Sequence, residues 1–193
     1  MPKKILVILG QPLRQSYGGA LAQAYIDGAK ESQAEVREIY LGDLNFNPIA
    51  RTGPAQPAAL EPDLVQAQQA ITWADHLVFV YPIWWGTIPA LLKGFIECVF
   101  LPGFAVNFHD NSVFWDKLLR GRSARLIVTL NTPSWYYRWV LGRPGHNTMK
   151  KTILEFCGIK PVRITEIGPI RNSTDAKRKK WLQQVRVLGT EQA

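Results

Sequence analysis

The 193-residue sequence predicts an α/β fold built on a doubly wound, five-stranded parallel sheet. Three observations carry this. Some short β-rich runs are apolar without alternation, as strands covered on both faces must be. Two other runs do alternate, as strands near a sheet edge do. Helical patterns of ordinary length separate the runs, which is the order that right-handed βαβ crossovers require.

Taken in order, Lys3 to Leu9 (KKILVIL) is a continuous β-rich run that stops at Gly10, and a helical pattern follows from Ser16 to Ser32. Glu35 to Leu41 (EVREIYL) alternates and reads as a strand near one edge. Pro48 to Pro62, with Pro54 and Pro57 inside it, reads as a surface loop, and the next helix runs roughly from Leu60 to Ala74. His76 to Tyr81 (HLVFVY) is a central strand. The helix after it spans Pro89 to Phe100, with Pro89 suited to a first turn. Residues Phe100 to Trp115 (FLPGFAVNFHDNSVFW) read as an aromatic-rich loop. Leu126 to Leu130 (LIVTL) is the fourth strand, and a helix from about Gly145 to Cys157 ends at Gly158, a good C-cap. Lys160 to Ile167 (KPVRITEI) opens with Pro161 and alternates, which suits the opposite edge. A last helix starts at Thr174-Asp175 and runs to Leu188. No repeat or second core is visible, so one domain over residues 1–193 is expected.

Composition narrows the function classes. From Leu77 to Leu92 the only ionisable side chain is the phenol of Tyr81, yet Pro82, Gly86 and Pro89 interrupt the run. A membrane helix needs ~20 apolar residues in unbroken geometry, so this is no span. ILVIL is too short for a signal-peptide core, and the expectation is a soluble, unprocessed chain in a reducing cytoplasm. Cys98 and Cys157 read as small buried hydrophobes, and the three histidines lack ligand spacing, so no metal is expected. The net charge of +8 peaks at Lys177-Arg178-Lys179-Lys180, a solvated helix face by its length. Charge and aromatics alone would allow a nucleic-acid binder, but no recognisable module accompanies them.

In open parallel sheets, ligands bind beyond the carboxyl ends of the strands, where strand order reverses. Three loops qualify. GQPLRQS (10–16) places Arg14 and Ser16 at the mouth of a helix, where N–H groups, a hydroxyl and a guanidinium suit a phosphate. An N-cap serine beside an exposed arginine is the plainer reading of the same residues. The second loop, Pro82 to Thr87, carries adjacent Trp84 and Trp85, a flat apolar wall for a planar ring. Packing between sheet and helix is its plainer reading, and at least one of the two indoles should be partly exposed. The third, Asn131 to Tyr137 (NTPSWYY), joins polar side chains to aromatics.

YPIWWGTIPALLKGFIECVF (81–100) resembles the flavin-cradling loop and following helix of the NAD(P)H:quinone oxidoreductase family of flavodoxin-like proteins. The Ser16 loop, LPGFAVNF, the helix ending in EFCGI and Lys180-Trp181-Leu182 are similar too, so the resemblance spans nearly the whole chain. It implies a three-layer flavodoxin-like fold with strand order 2-1-3-4-5. It also implies a flavin (FMN first, FAD as the alternative), NAD(P)H as co-substrate, a quinone-like acceptor and a homodimer. Gln11, Ser16 and Tyr17 fall where the family holds flavin phosphates, and Pro82, Ile83, Trp84 and Trp85 where it contacts the isoalloxazine. Asn131, Thr132 and Pro133 fall in the third flavin loop, where the family often has Thr-Thr-Gly-Gly. Tyr136, Tyr137 and His146 are the candidates for the Tyr/His pair that assists hydride transfer in some members, at a different spacing. The implied reaction is a two-electron, ping-pong reduction. A flavodoxin-like electron carrier and an accessory subunit of a potassium-efflux transporter are the alternatives, and only the latter would bring the chain to a membrane.

Overall fold

A computed structural model describes residues 1–50, 59–110 and 112–192. Its main sheet has five parallel strands: β1 (Lys4–Leu9), β2 (Glu35–Tyr40), β3 (His76–Pro82), β6 (Ser123–Thr129) and β7 (Val162–Ile167). They lie in the order β2-β1-β3-β6-β7. In the sequence of main-sheet strands this is the expected 2-1-3-4-5. The two alternating runs, β2 and β7, occupy the two edges, and the continuous apolar runs fill the centre.

Why the central strands lack alternation is visible in the packing. On β1, Leu6 and Ile8 face one core while Ile5, Val7 and Leu9 face the other; on β3, Leu77, Phe79 and Tyr81 oppose Val78 and Val80. Side chains alternate along a strand, and here both faces are covered. Helices α1 (Tyr17–Glu31) and α6 (Asp175–Thr190) close one face with Leu21, Tyr25, Ile26 and Val185. Helices α2 (Pro62–Trp73) and α3 (Ala90–Val99) close the other with Leu64, Ile71, Leu92 and Phe95. Three layers result. Cys157 joins the second core, whereas Cys98 is only half-buried.

Helix ends follow their residues. Ser16 caps α1 by accepting the Gly19 N–H at 3.1 Å, and Thr174 caps α6 by accepting that of Lys177 at 3.3 Å. Pro89 is the N-cap of α3 rather than its first helical residue. Gly158, at φ +100°, takes the left-handed conformation that ends the helical region before it.

Three segments differ from expectation. The aromatic-rich stretch read as a loop contains an antiparallel pair, β4 (Val106–Phe108) with β5 (Trp115–Lys117). Each strand is three residues long, too short to give a periodic signal. The third carboxyl-edge loop holds a short helix, α4 (Ser134–Trp139), started by Pro133. The helix expected from Gly145 divides into a short turn, α5 (Pro144–Asn147), and a π-helical stretch, Thr148–Leu154. Pro54 and Pro57 lie outside the described residues.

Candidate functional site

The three loops meet at the carboxyl ends of β1, β3 and β6, beside the point where the chain crosses from β1–β2 to β3. In the first loop Gln11 is buried, and its side-chain amide donates to the Leu13 carbonyl at 2.9 Å and to the Ser16 hydroxyl. Ser16 in turn donates to the Leu13 carbonyl at 2.8 Å. This closes the loop into a tight ring. A Cβ on Gly19 would sit 1.9 Å from the Arg14 carbonyl oxygen, so only glycine lets the loop fold back on the helix. The first turn of α1 then presents N–H groups without intrahelical acceptors, backed by the positive end of the helix dipole. Arg14 lies to the side: its guanidinium stacks 3.8 Å from the Tyr40 ring centroid and reaches Asp43 at 3.5 Å. The Tyr17 phenol points away, donating to the Arg178 carbonyl of α6 at 3.0 Å.

The second loop is a two-residue turn. Trp84 and Thr87 exchange both backbone hydrogen bonds at 3.0 Å, and Trp85 and Gly86 between them have φ of +50° and +78°. Positive φ at both central positions is the type I′ pattern, which favours Asn-Gly. A tryptophan there is held in a region that costs an L residue energy. Both indoles are exposed, Trp84 by 47% and Trp85 entirely, so the reading in which the pair packs between sheet and helix fails. A tight turn beyond the sheet has no layer to pack into. The amides of Ile83 and Trp84 are already bonded, to Thr129 and Thr87. Among the described residues of the turn, Trp85 and Gly86 therefore supply the amides left for a ligand.

Beneath the turn lies a polar support. The Tyr137 phenol donates to the Gly86 carbonyl at 2.9 Å and accepts the Gly145 N–H at 3.0 Å. His146 meets the Tyr137 ring edge-on at 5.1 Å, and its Nε2 lies 3.0 Å from Glu166 Oε1 on β7. Arg143, left-handed at φ +53°, reaches the same carboxylate oxygen at 3.2 Å. With Nε2–H donating to Glu166, Nδ1 is a bare, buried acceptor with no partner among the described residues. Burial pushes the Tyr137 phenol up and the His146 ring down in pKa, the latter against the opposing pull of Glu166. His146 is thus neutral near pH 7. The sequence suggested Tyr137 and His146, and the fold brings them together, but as buried neighbours. Tyr136 stands apart and partly exposed, edge-on to Trp135 at 5.7 Å.

The third loop adds Asn131, whose Oδ1 accepts the Arg171 N–H at 2.9 Å, a half-buried Thr132 and an exposed Pro133. Pro133 and Tyr137 are linked by a 3.0 Å backbone bond that sets the start of α4. Arg143 and Glu166 carry no local signal in the sequence that marks them as site residues. Glu166 lies in an edge-strand pattern, and nothing local ties it to a histidine 20 residues earlier.

A family described by its flavodoxin-like fold matches residues 3–188. The chain belongs to this flavodoxin-like family. The crystal structure of Smu.1420 from Streptococcus mutans UA159 superposes with a TM-score of 0.84 at 31% identity, covering 97% of this chain and 99% of that one. A protein of Haemophilus influenzae named as an uncharacterized NAD(P)H oxidoreductase is 27% identical, over 92% of this chain and 90% of its own length. The NAD(P)H:quinone oxidoreductase of Methanothermobacter marburgensis matches in fold, with a TM-score of 0.83 at 20% identity, covering 100% of this chain and 98% of that one. In this flavodoxin-like member, no helix among the described residues is long and apolar enough to cross a membrane.

Proposed function

We propose that this chain is a flavin-dependent NAD(P)H:quinone oxidoreductase that works by a ping-pong sequence, with FMN as the preferred flavin. One observation carries the reading: the exposed Trp84–Trp85 turn at the end of β3 stands beside the Ser16-capped start of α1, so a wall for a ring adjoins a cradle for a phosphate. The names of the relatives support the same chemistry. A bound flavin would supply the two-electron step, accepting a hydride from NAD(P)H and passing it to a planar acceptor.

The chain's own residues have separate tasks. N–H groups of the first turn of α1, ordered by Gln11 and Ser16, hold the phosphate, with Tyr17 fixing that turn against α6. Pro82, Ile83 and Trp84 bound the ring, and the amides of Trp85 and Gly86 meet its polar edge. Asn131, Thr132 and Pro133 form the far rim. Tyr136, partly exposed, contacts the incoming ring. Tyr137 and His146 position the turn from below, and the neutral imidazole holds its proton on Nε2 against Glu166. Arg14, engaged with Tyr40 and Asp43, contributes charge at the rim. One apolar pocket used in turn by nicotinamide and acceptor gives ping-pong kinetics. A second copy of the chain roofs this pocket, and a cytoplasmic setting suits its substrates.

The test is a visible spectrum of the purified protein before and after reconstitution with FMN or FAD, followed by initial rates with NAD(P)H and a naphthoquinone. Parallel double-reciprocal lines are expected. A folded protein that takes up neither flavin would overturn the reading.

A further inference from the structure

Four of the seven tryptophans are exposed, and all four stand on two neighbouring segments of the carboxyl edge. Trp84 and Trp85 form the turn after β3. Trp135 and Trp139 lie on α4, 63% and 73% exposed. This short helix has two sides. Tyr137 is its buried residue and ties it to the turn through the Gly86 carbonyl. Trp135, Arg138 and Trp139, spaced i, i+3 and i+4, share the outer face. Val140 and Leu141, where the helix ends, are exposed as well. Large apolar side chains grouped in this way mark a surface of contact.

The charge on this face selects the partner. The Arg138 guanidinium stacks 4.6 Å from the Trp139 ring centroid and forms no ion pair among the described residues. From Asn131 to Leu154 the chain has no Asp or Glu, and it carries Arg138, Arg143, Lys150 and Lys151. Glu166 is engaged by Arg143 and His146 with 17% of its side chain exposed, and Glu155 lies 4.0 Å from Lys150. Arg171, whose N–H is held by Asn131 at the root of the same loop, is exposed and unpaired among the described residues. Asp175, four residues further on, sits in the first turn of α6, where the helix dipole offsets its charge.

An aromatic face with an unpaired arginine at its centre fits an anionic partner. A second copy of the chain fits it poorly, because an isologous contact would turn Arg138 toward its own image. Tryptophan and arginine, each an apolar body with a polar tip, suit the headgroup level of a bilayer. Val140 and Leu141 find acyl chains beneath that level, whereas a nucleic-acid backbone offers aliphatic side chains no counterpart. We propose that the outer face of α4 and the turn after it dock this chain on an anionic lipid bilayer, with the two indoles, Val140 and Leu141 at the headgroup boundary and Arg138 paired with lipid phosphate. The contact is with lipid itself and needs no transporter subunit. Docking does not rest on the flavin reading; on that reading, the pocket beside the Trp84–Trp85 turn adjoins the bilayer, where apolar quinones dissolve.

The test is flotation of the full chain with vesicles of phosphatidylcholine alone and of phosphatidylcholine mixed with phosphatidylglycerol in equal parts. Binding to the anionic vesicles alone is expected, weakened by added salt, with tryptophan fluorescence quenched when the acyl chains are brominated. Arg138→Gln should weaken binding about fivefold, the effect of one basic residue at an anionic surface. Trp139→Ala should weaken it about tenfold, as partial burial of one indole implies. Circular dichroism checks that both variants are folded. A double variant on the basic run of α6, Lys179→Gln with Lys180→Gln, is the control and should bind nearly as the wild type does. A wild type that fails to float would overturn the proposal, and so would a loss confined to the α6 control. Retention of a single-stranded oligonucleotide in place of vesicles would assign the face to nucleic acid instead. Absence of flotation with a dimer that Trp139→Ala converts to monomer would assign it to a second copy.

Discussion

The phenol of Tyr137 donates to the carbonyl of Gly86 at 2.9 Å, so a residue of α4 fixes the turn that carries the two exposed tryptophans. The same oxygen accepts the Gly145 N–H, which makes Tyr137 a rivet between two backbone segments. Tyr137→Phe keeps the ring packing and removes both bonds. It should cost ~1–3 kcal/mol of stability, because two backbone groups lose their shared partner. Flavin affinity should fall with it, since the Trp85 and Gly86 amides lose their fixed direction. Chemical denaturation and a flavin titration measure the two effects. Unchanged flavin affinity in a destabilised variant would show that the turn holds its shape without the rivet.

Trp85 separates stability from binding more sharply. Its side chain is fully exposed and its backbone is left-handed, so the fold gains nothing from the indole and bears the strain. Trp85→Gly should raise stability by about 1 kcal/mol, the usual cost of a left-handed L residue. It should also weaken flavin or acceptor binding. Trp85→Ala should leave stability near the wild-type value, since it keeps the Cβ strain, and weaken binding equally. A marked loss of thermal stability in either variant would mean that the indole packs against something.

Acid should act through His76. Burial, followed by Lys3, Arg125 and Arg163, pushes its pKa down from 6.5 to about 3. Between those values the unfolded chain binds a proton that the folded chain refuses, so stability is present above pH 6.5 and is lost as pH falls toward 3. The slope from this group is ~1.4 kcal/mol per pH unit at most. His146 adds to it in the same direction. His76→Gln should flatten the acid limb of the stability profile while lowering the plateau little. An acid limb as steep as that of the wild type would assign the loss to other groups.

Much of this architecture can be read from the chain, and the exceptions have physical reasons. KKILVIL, HLVFVY and LIVTL declare buried strands because both faces of each are covered. Ser16 and Thr174 announce their helices because a cap is a local interaction. Val106–Phe108 and Trp115–Lys117 are invisible as strands because three residues carry no period. The π-helical stretch keeps a helical apolar pattern, so its different winding leaves no trace in the residues. For the site, Trp84 and Trp85 stand out by type, but their exposure follows from a turn geometry that the Trp-Gly pair does not advertise. The Tyr137–His146–Glu166 chain joins α4, α5 and β7, and only the completed sheet edge brings these together.

The last prediction concerns assembly. Between α3, the β4–β5 hairpin and the π-helical stretch lies an apolar groove of about 520 Å³, lined by Ile96, Phe100, Val106, Phe108, Ile153 and Phe156. Phe108 is 56% exposed, and Val113 and Phe114 beside it on the hairpin are more so. A domain seldom leaves such a patch without a partner, and a second copy of the chain would cover it. Phe104 is the poorer probe, because it packs against the core and a charge there would lower the stability of the monomer as well. Phe108→Asp puts a charge on the exposed surface, where a substitution should change monomer stability by no more than about 0.5 kcal/mol. Sedimentation at micromolar concentration should give about twice the monomer mass for the wild type. Phe108→Asp should shift the protein to monomer and lower reductase turnover together. A monomeric wild type with full turnover would mean that the roof comes from the chain's own loops.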